Sequence, residues 1–280
     1  MKEVLQRRYY VSELMMFNIT IRNLFVELLR YKDVLYFLIL RNIKVKYKQT
    51  LLGISWAVIQ PFMMMVVFTI FFGKLAKIPS DGIPYPLFSY SALVPWTYFS
   101  VTLGTTGNCL VSNANLIRKV YFPRIALPLS TVISGLLVFV IASTVLIGML
   151  IYYKVGLSWE LCLFPIIIVP LVVLTSGIGM LLAALNVKFR DVRYIIPFLV
   201  QLWLFATPII YPVTILPERF RILANLNPMT GLVEAFRAIL LPDKFIDWHA
   251  LWVSCIVALV FFVIGLFYFK KTEDEFADII

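Results

Sequence analysis

Charged residues fall in clumps along this chain, and the gaps between the clumps predict its elements. Residues 51–73, 83–117, 125–153, 161–187, 194–217 and 250–269 contain no Asp, Glu, Lys, Arg or His. Crossing a hydrocarbon core takes about 20 apolar residues in a helix, and every gap is long enough. Lipid offers no partner to a backbone N–H or C=O, so a span is either a helix or a strand of a closed barrel. The out-and-in alternation of barrel strands is missing, which leaves helices. The pattern predicts an all-α integral membrane protein with six transmembrane helices, near 54–73, 87–110, 126–152, 161–185, 195–213 and 250–269. The second is the least apolar, because Ser, Thr and Gly dilute it and Pro95 interrupts it.

The run DVLYFLILRNIKVKYK, residues 33–48, is too short to span. On a helix, Leu35, Ile39, Ile43 and Tyr47 fall within about 120° of arc, with Arg41, Lys44 and Lys48 opposite. This predicts an amphipathic helix lying in the interface, from which Lys46 snorkels.

Orientation follows from the basic residues. Eighteen of the 25 lie in the N-terminal stretch to residue 50, the loops after the second and fourth spans, and the C-terminal tail; seven lie on the other side. The positive-inside rule then puts both termini in the cytoplasm. The chain divides into a cytoplasmic tail with the interfacial helix over 1–50, a transmembrane domain over 51–273 and a cytoplasmic tail over 274–280. The first fifty residues lack a short apolar region ended by small residues, so no cleaved signal peptide is expected.

Composition narrows the function classes. Of 280 residues, 61% are hydrophobic and 14% charged, against roughly 45–50% and about 25% for a soluble domain. A soluble enzyme or a nucleic-acid-binding domain is excluded, despite the net charge of +10. Cys109, Cys162 and Cys255 are far apart in apolar runs and suggest no disulfide framework. A phosphate-binding loop needs GxxxxGK followed by Ser or Thr; Gly73 and Lys74 are followed by Leu75. One histidine and scattered cysteines supply no metal cluster. No Asp or Glu lies within a span, which disfavours an ion-coupled carrier. The chain has no visible engine of its own, and no cofactor is expected on it.

Three stretches resemble one family. RNIKVKYKQTLLGISWAVIQP (41–61) is a basic interfacial segment running into the first span; NANLIRKVYFPRIALPLS (113–130) covers the first cytoplasmic loop and the next span's entrance; NVKFRDVRYIIPFLVQLWLFATPIIYP (186–212) covers the loop after the fourth span and the fifth, with Asn227 and Pro228 beyond. In order and spacing they resemble the permease subunits of ABC-2-type ABC transporters, in the branch that exports lipid-linked polysaccharides: O-antigen, teichoic acid and capsule. The resemblance implies a homodimer in the cytoplasmic (inner) membrane with two copies of a separate cytoplasmic ATPase, which binds ATP and Mg and supplies the missing engine. Undecaprenyl-linked O-antigen is the first expectation for cargo. Teichoic acid, capsule, or a drug or small lipid are the alternatives within the type; a stand-alone channel or carrier and a membrane-embedded transferase are the alternatives outside it.

The resemblance also assigns roles. The loop at 113–124 is the coupling helix that docks on the ATPase, with Asn115, Arg118, Lys119, Tyr121 and Arg124 as contacts. The segment 214–247 supplies re-entrant or gating helices before the last span, where Arg219, Glu234 and Arg237 mark an outer gate; Glu234 and Arg237, three apart, can pair on one helix face. In the first span Trp56, Gln60, Met63, Val67 and Phe71 share about 80° of arc, and in the fifth Phe198, Gln201, Phe205, Pro208 and Pro212 do likewise. A sugar chain has apolar C–H faces and needs weak, repeated contacts to slide. These rings and lone glutamines are therefore the expected lining of the translocation path, with helix–helix or lipid contact as the other reading.

Overall fold

The computed structural model describes residues 26, 29–48, 53–156, 159–241 and 244–276, and every regular element among them is a helix. Residues 1–25 and 277–280 of the expected tails lie outside them. Helix α1 (Lys32–Tyr47) is the expected helix before the first span, and Leu35, Ile39 and Ile43 of the expected arc are half-buried while Lys44 and Lys48 are exposed. Leu38 is the residue it buries, with Val34 and Leu35 beside it, while Tyr36, Phe37 and Val45 stay exposed. The helix has two neighbours to satisfy, the bundle and its surroundings, and so carries two apolar patches.

From Gly53 to Leu75 the chain folds as one continuous helical segment, about 35 Å long at 1.5 Å per residue, in three windings: a 3₁₀ turn (Gly53–Ser55), α2 (Trp56–Phe68) and a π-helical close (Thr69–Leu75). Three more helices are long and apolar enough to cross a membrane: Ala126–Tyr152, Glu160–Lys188 and Trp248–Glu275. Their α-helical parts are α6 (Ala126–Tyr152), α7 (Phe164–Lys188) and α11 (Trp248–Thr272). The third expected span matches α6 residue for residue.

The second expected span is α3 (Tyr85–Gly107), and it occupies the centre: eighteen of its 23 residues are buried. It packs against α2, α6, α7 and two helices introduced below. A helix that meets protein on most sides can carry Ser and Thr where a lipid-facing helix cannot. That explains its weak apolar signal. Its tyrosines act as interhelical ties, Tyr90 Oη donating to the Ala142 carbonyl (3.2 Å) and Tyr98 Oη to the Val132 carbonyl (3.3 Å) on α6. Beyond Gly107 the chain breaks into two short pieces, α4 (Cys109–Ser112) and α5 (Ala114–Lys119).

The fifth expected span is shorter than predicted. Helix α8 (Val192–Ala206) stops before Thr207, which is extended (φ −100°, ψ 138°). A residue preceding proline is pushed out of the helical region, and Pro208 follows. Fifteen residues make only about 22 Å of helix. Pro208 and Pro212, expected on the α8 stripe, are instead off the helix and buried.

After a 3₁₀ turn (Val213–Ile215) come α9 (Glu218–Leu226) and α10 (Pro228–Leu240). Asn227 organises this junction. Its Oδ1 caps α10 by accepting from the Met229 N–H (3.0 Å), and Pro228 fits the first helical position. The same Oδ1 accepts from Trp203 Nε1 (2.8 Å) and Nδ2 donates to Thr207 Oγ1 (3.0 Å), so the start of α10 is tied to the end of α8. Twelve of the thirteen residues of α10 are buried, against α3, α7 and α11.

Candidate functional site

At the end of α3 the loop to α6 turns some side chains in and others out. Leu110, Ile117, Phe122 and Ile125 are buried with Leu38 of α1 and Phe269 and Phe276 of the C-terminal segment. Asn115, Arg118, Lys119 and Val120 face outward, and the Tyr121 ring is 87% exposed. The ring is held out beside Phe122, whose side chain is buried in the bundle. Arg124 does otherwise. Its backbone N–H donates to Glu273 Oε1 (3.1 Å) and its Nη1 to the Glu273 carbonyl, so it fastens the loop to the end of α11.

Three further residues position this loop, none of them given that role from the sequence. Arg41 of α1 donates to Asn113 Oδ1, and Asn42 donates to Ser130 Oγ at the start of α6 (3.2 Å). Asn186, at the end of α7, donates to the Gly107 carbonyl (2.8 Å) and to Asn108 Oδ1 (3.1 Å), at the break after α3. Asn186 opens the third of the family-like stretches, and an amide inside an apolar segment was the available signal. The Arg124–Glu273 link had none, because it joins residues 149 positions apart.

Trp56, Gln60, Met63, Val67 and Phe71 are all exposed on α2 and the π-helical close that follows it. Phe198, Gln201 and Phe205 are likewise exposed on α8. Both helices pack on α3, and the chain's own fold covers neither stripe.

At the other end of α3 the three residues of the expected outer gate separate. Arg219 lies exposed on α9. Arg237 is fully buried and Glu234 partly so, and they pair at 2.7 Å. The unwound stretch after α8 brings main-chain carbonyls into a dry place, where each needs a donor. Arg237 Nη1 donates to the Pro208 carbonyl (2.8 Å) and Nη2 to that of Ile209 (2.9 Å), while Tyr85 Oη donates to that of Ile210 (2.8 Å). Arg237 Nε donates to the Phe88 carbonyl (3.3 Å), and the guanidinium lies 3.7 Å from the centre of the Phe88 ring. Outward, Lys244 Nζ joins Glu234 Oε2 (3.4 Å) to Asp81 Oδ2 (2.8 Å), whose other oxygen accepts from Thr214 Oγ1 (3.0 Å). Desolvation pushes the Asp81 carboxyl up, but the Lys244 ammonium and the Thr214 hydroxyl more than offset it and hold the group below its ordinary value. Arg237 is thus a clamp joining α10, α3 and the unwound end of α8.

The sequence model of the ABC-2 type transporter family matches residues 33–241, from the first turn of α1 to the end of α10. The chain belongs to the ABC-2 type transporter family. It is 32% identical to the O-antigen export system permease protein RfbA of Myxococcus xanthus over 255 residues, which are 90% of this chain and 97% of that protein. It is 28% identical to the RfbA protein of Klebsiella pneumoniae over 250 residues (89% and 95%), and 24% identical to the polysialic acid transport protein KpsM of Escherichia coli over 242 residues (85% and 92%). In this ABC-2 type chain the matched region takes in the docked helix α1, the exposed loop around Tyr121 and the Arg237 clamp.

Proposed function

We propose that the chain is the membrane-spanning permease of an ATP-driven exporter of lipid-linked polysaccharide, with undecaprenyl-linked O-antigen as its first cargo. The carrying observation is the end-to-end similarity to an O-antigen export permease, 32% over 90% of the chain. Two copies form the passage in the cytoplasmic membrane. Two copies of a separate ATPase, which hold ATP and Mg, drive it from the cytoplasm. Six spans leave both termini on that side, with α3 and α8 as the second and fifth; the burial of α10 suits a re-entrant helix at the outer mouth.

In this reading Asn115, Arg118, Lys119 and Tyr121 meet the ATPase, and Arg124 holds their loop in place. Tyr121→Ala is expected to weaken capture of the ATPase in a pull-down by about 2 kcal/mol, roughly thirtyfold, while the thermal midpoint of the isolated chain stays put. Arg124→Ala is expected to lower that midpoint, because it cuts the tie to Glu273. Equal capture by wild type and Tyr121→Ala would contradict the docking surface.

The exposed stripes of α2 and α8 line the passage once two copies assemble. Gln201→Glu places a carboxylate where sugar slides and lipid borders, at a cost of about 2.5–3.5 kcal/mol for a charge near mid-membrane. Surface polysaccharide should fall at least about tenfold by the same arithmetic, with dimer and ATPase assembly intact. Phe205→Glu should behave alike. Normal surface polysaccharide in both variants would refute the lining assignment.

A further inference from the structure

A groove of about 640 Å³ opens where α2 and its π-helical close part from the last turns of α6. Phe62, Val66 and Ile70 line it from the first rod, Val145 and Met149 from α6, and Pro86 from α3. Thr69 lines it too, but its hydroxyl donates to the Met65 carbonyl (2.7 Å) and keeps no hydrogen for a ligand. No Asp or Glu is among the lining residues. The space exists because α6 carries Gly148 here, where a Cβ would meet nothing within 4 Å. Packed protein leaves no voids of this size, and an apolar space takes hydrocarbon in preference to water. Phe62, Val66 and Thr69 lie about 130° round the helix from the stripe of Trp56, Gln60, Met63, Val67 and Phe71. The groove is therefore separate from the face expected to meet the passage.

Its length and its mouth select the occupant. From Phe62 to Lys74 the rod rises about 18 Å at 1.5 Å per residue, close to the distance of about 15 Å from the middle of a hydrocarbon core to its edge. Lys74 is the first charge after the gap at 51–73, and Tyr152 and Tyr153 end the gap at 125–153; all three line the groove. An ammonium and two amphipathic rings at the ends of spans mark the headgroup boundary. Lys74 is exposed and makes no ion pair or hydrogen bond among the described residues. The nearby acids are taken, Asp81 by Lys244 and Glu234 by Lys244 and Arg237. We propose that the groove binds one acyl chain of an anionic phospholipid, with the phosphate of its headgroup beside Lys74. The exposure of Lys74 suits this role, since a hydrated point charge attracts a headgroup at the surface without leaving water. The seated chain backs α2 on the side away from Gln60 and Met63. The site goes beyond the exporter reading, and its lipid is detected whether or not the chain carries polysaccharide.

Gly148 and Lys74 test the two halves of the site separately. The full chain, purified in a neutral detergent, is titrated with phosphatidylglycerol, phosphatidylcholine and a long polyprenyl phosphate, with bound lipid read by native mass spectrometry. The expected result is retention of phosphatidylglycerol, held about fivefold more tightly than phosphatidylcholine. Lys74→Gln, at an exposed position, should abolish that preference. Gly148→Leu sends a branched side chain into the groove and should weaken both phospholipids about tenfold, with the thermal midpoint unchanged. Phosphatidylglycerol held equally by wild type and Gly148→Leu overturns the site. An undiminished preference in Lys74→Gln overturns the placement of the headgroup. Polyprenyl phosphate displacing phosphatidylglycerol at equal concentration overturns the choice of a phospholipid chain as the occupant.

Discussion

Arg237→Ala is expected to cost about 3–5 kcal/mol of stability, the range for removing one partner from a buried ion pair. The guanidinium is fully buried, pairs with Glu234 at 2.7 Å and answers the carbonyls of Pro208, Ile209 and Phe88. Alanine leaves those carbonyls and Glu234 Oε1 without the Arg237 donor, with only Lys244 still on Oε2, and opens a void beside the Phe88 ring. Lysine should not rescue it, because one ammonium cannot reproduce a planar fork that spans three elements. Glu234→Gln should cost less, since Arg237 keeps its three carbonyls and an amide oxygen can still accept at that position. Thermal unfolding of the detergent-solubilised chain separates these outcomes. An Arg237→Ala midpoint equal to wild type would show that the clamp does not hold the unwound end of α8.

Gly265→Ala and Gly177→Ala should each destabilise the chain by about 3 kcal/mol, the upper part of the range for overpacking a tight contact. Helices α7 and α11 make the most extensive pairing in the molecule, and these glycines sit where they cross. A Cβ on Gly177 would lie 2.5 Å from the Phe262 nitrogen and 2.6 Å from the Phe261 carbonyl carbon; one on Gly265 would overlap the Gly177 carbonyl. The obstructing atoms are backbone, so no rotamer change relieves them and the helices must part. Small residues permit such close approach in membrane bundles, where dispersion rather than water drives packing. Gly148→Ala is the matched control. Its Cβ meets nothing within 4 Å on α6, and alanine favours helix by about 1 kcal/mol over glycine. Similar midpoints for Gly265→Ala and Gly148→Ala would contradict the close crossing.

Much of the scaffold was legible in the charge spacing. A gap in charge reports a segment that avoids water, so 126–152 is read correctly in full. Glu234 and Arg237 pair as their spacing of three suggests, because that relation is local to one helix. Hydropathy is a poorer guide where a helix faces protein, and α3 is central while being the least apolar of the expected spans. The end of α8 was readable from Pro208 by the restriction on the residue before it. Treating 195–213 as one rod gave length precedence over that local rule. Relations between distant segments left no mark: Arg124 reads as one more basic loop residue until Glu273 is brought to it, and Leu38 is one aliphatic residue among several until α1 docks. The exposed stripes of α2 and α8 are visible in sequence as faces. The fold of one chain leaves them exposed, and what covers them is not written in its own packing.

Reconstituted transport tests the account most directly. The chain is co-purified with a candidate partner ATPase and placed in proteoliposomes loaded with fluorescent lipid-linked O-antigen polysaccharide. Movement of the glycan across the bilayer is then followed with and without ATP. The account predicts movement that requires ATP, the ATPase and an intact Tyr121 loop together. Movement by the purified chain alone, with no nucleotide-hydrolysing partner present, would contradict it.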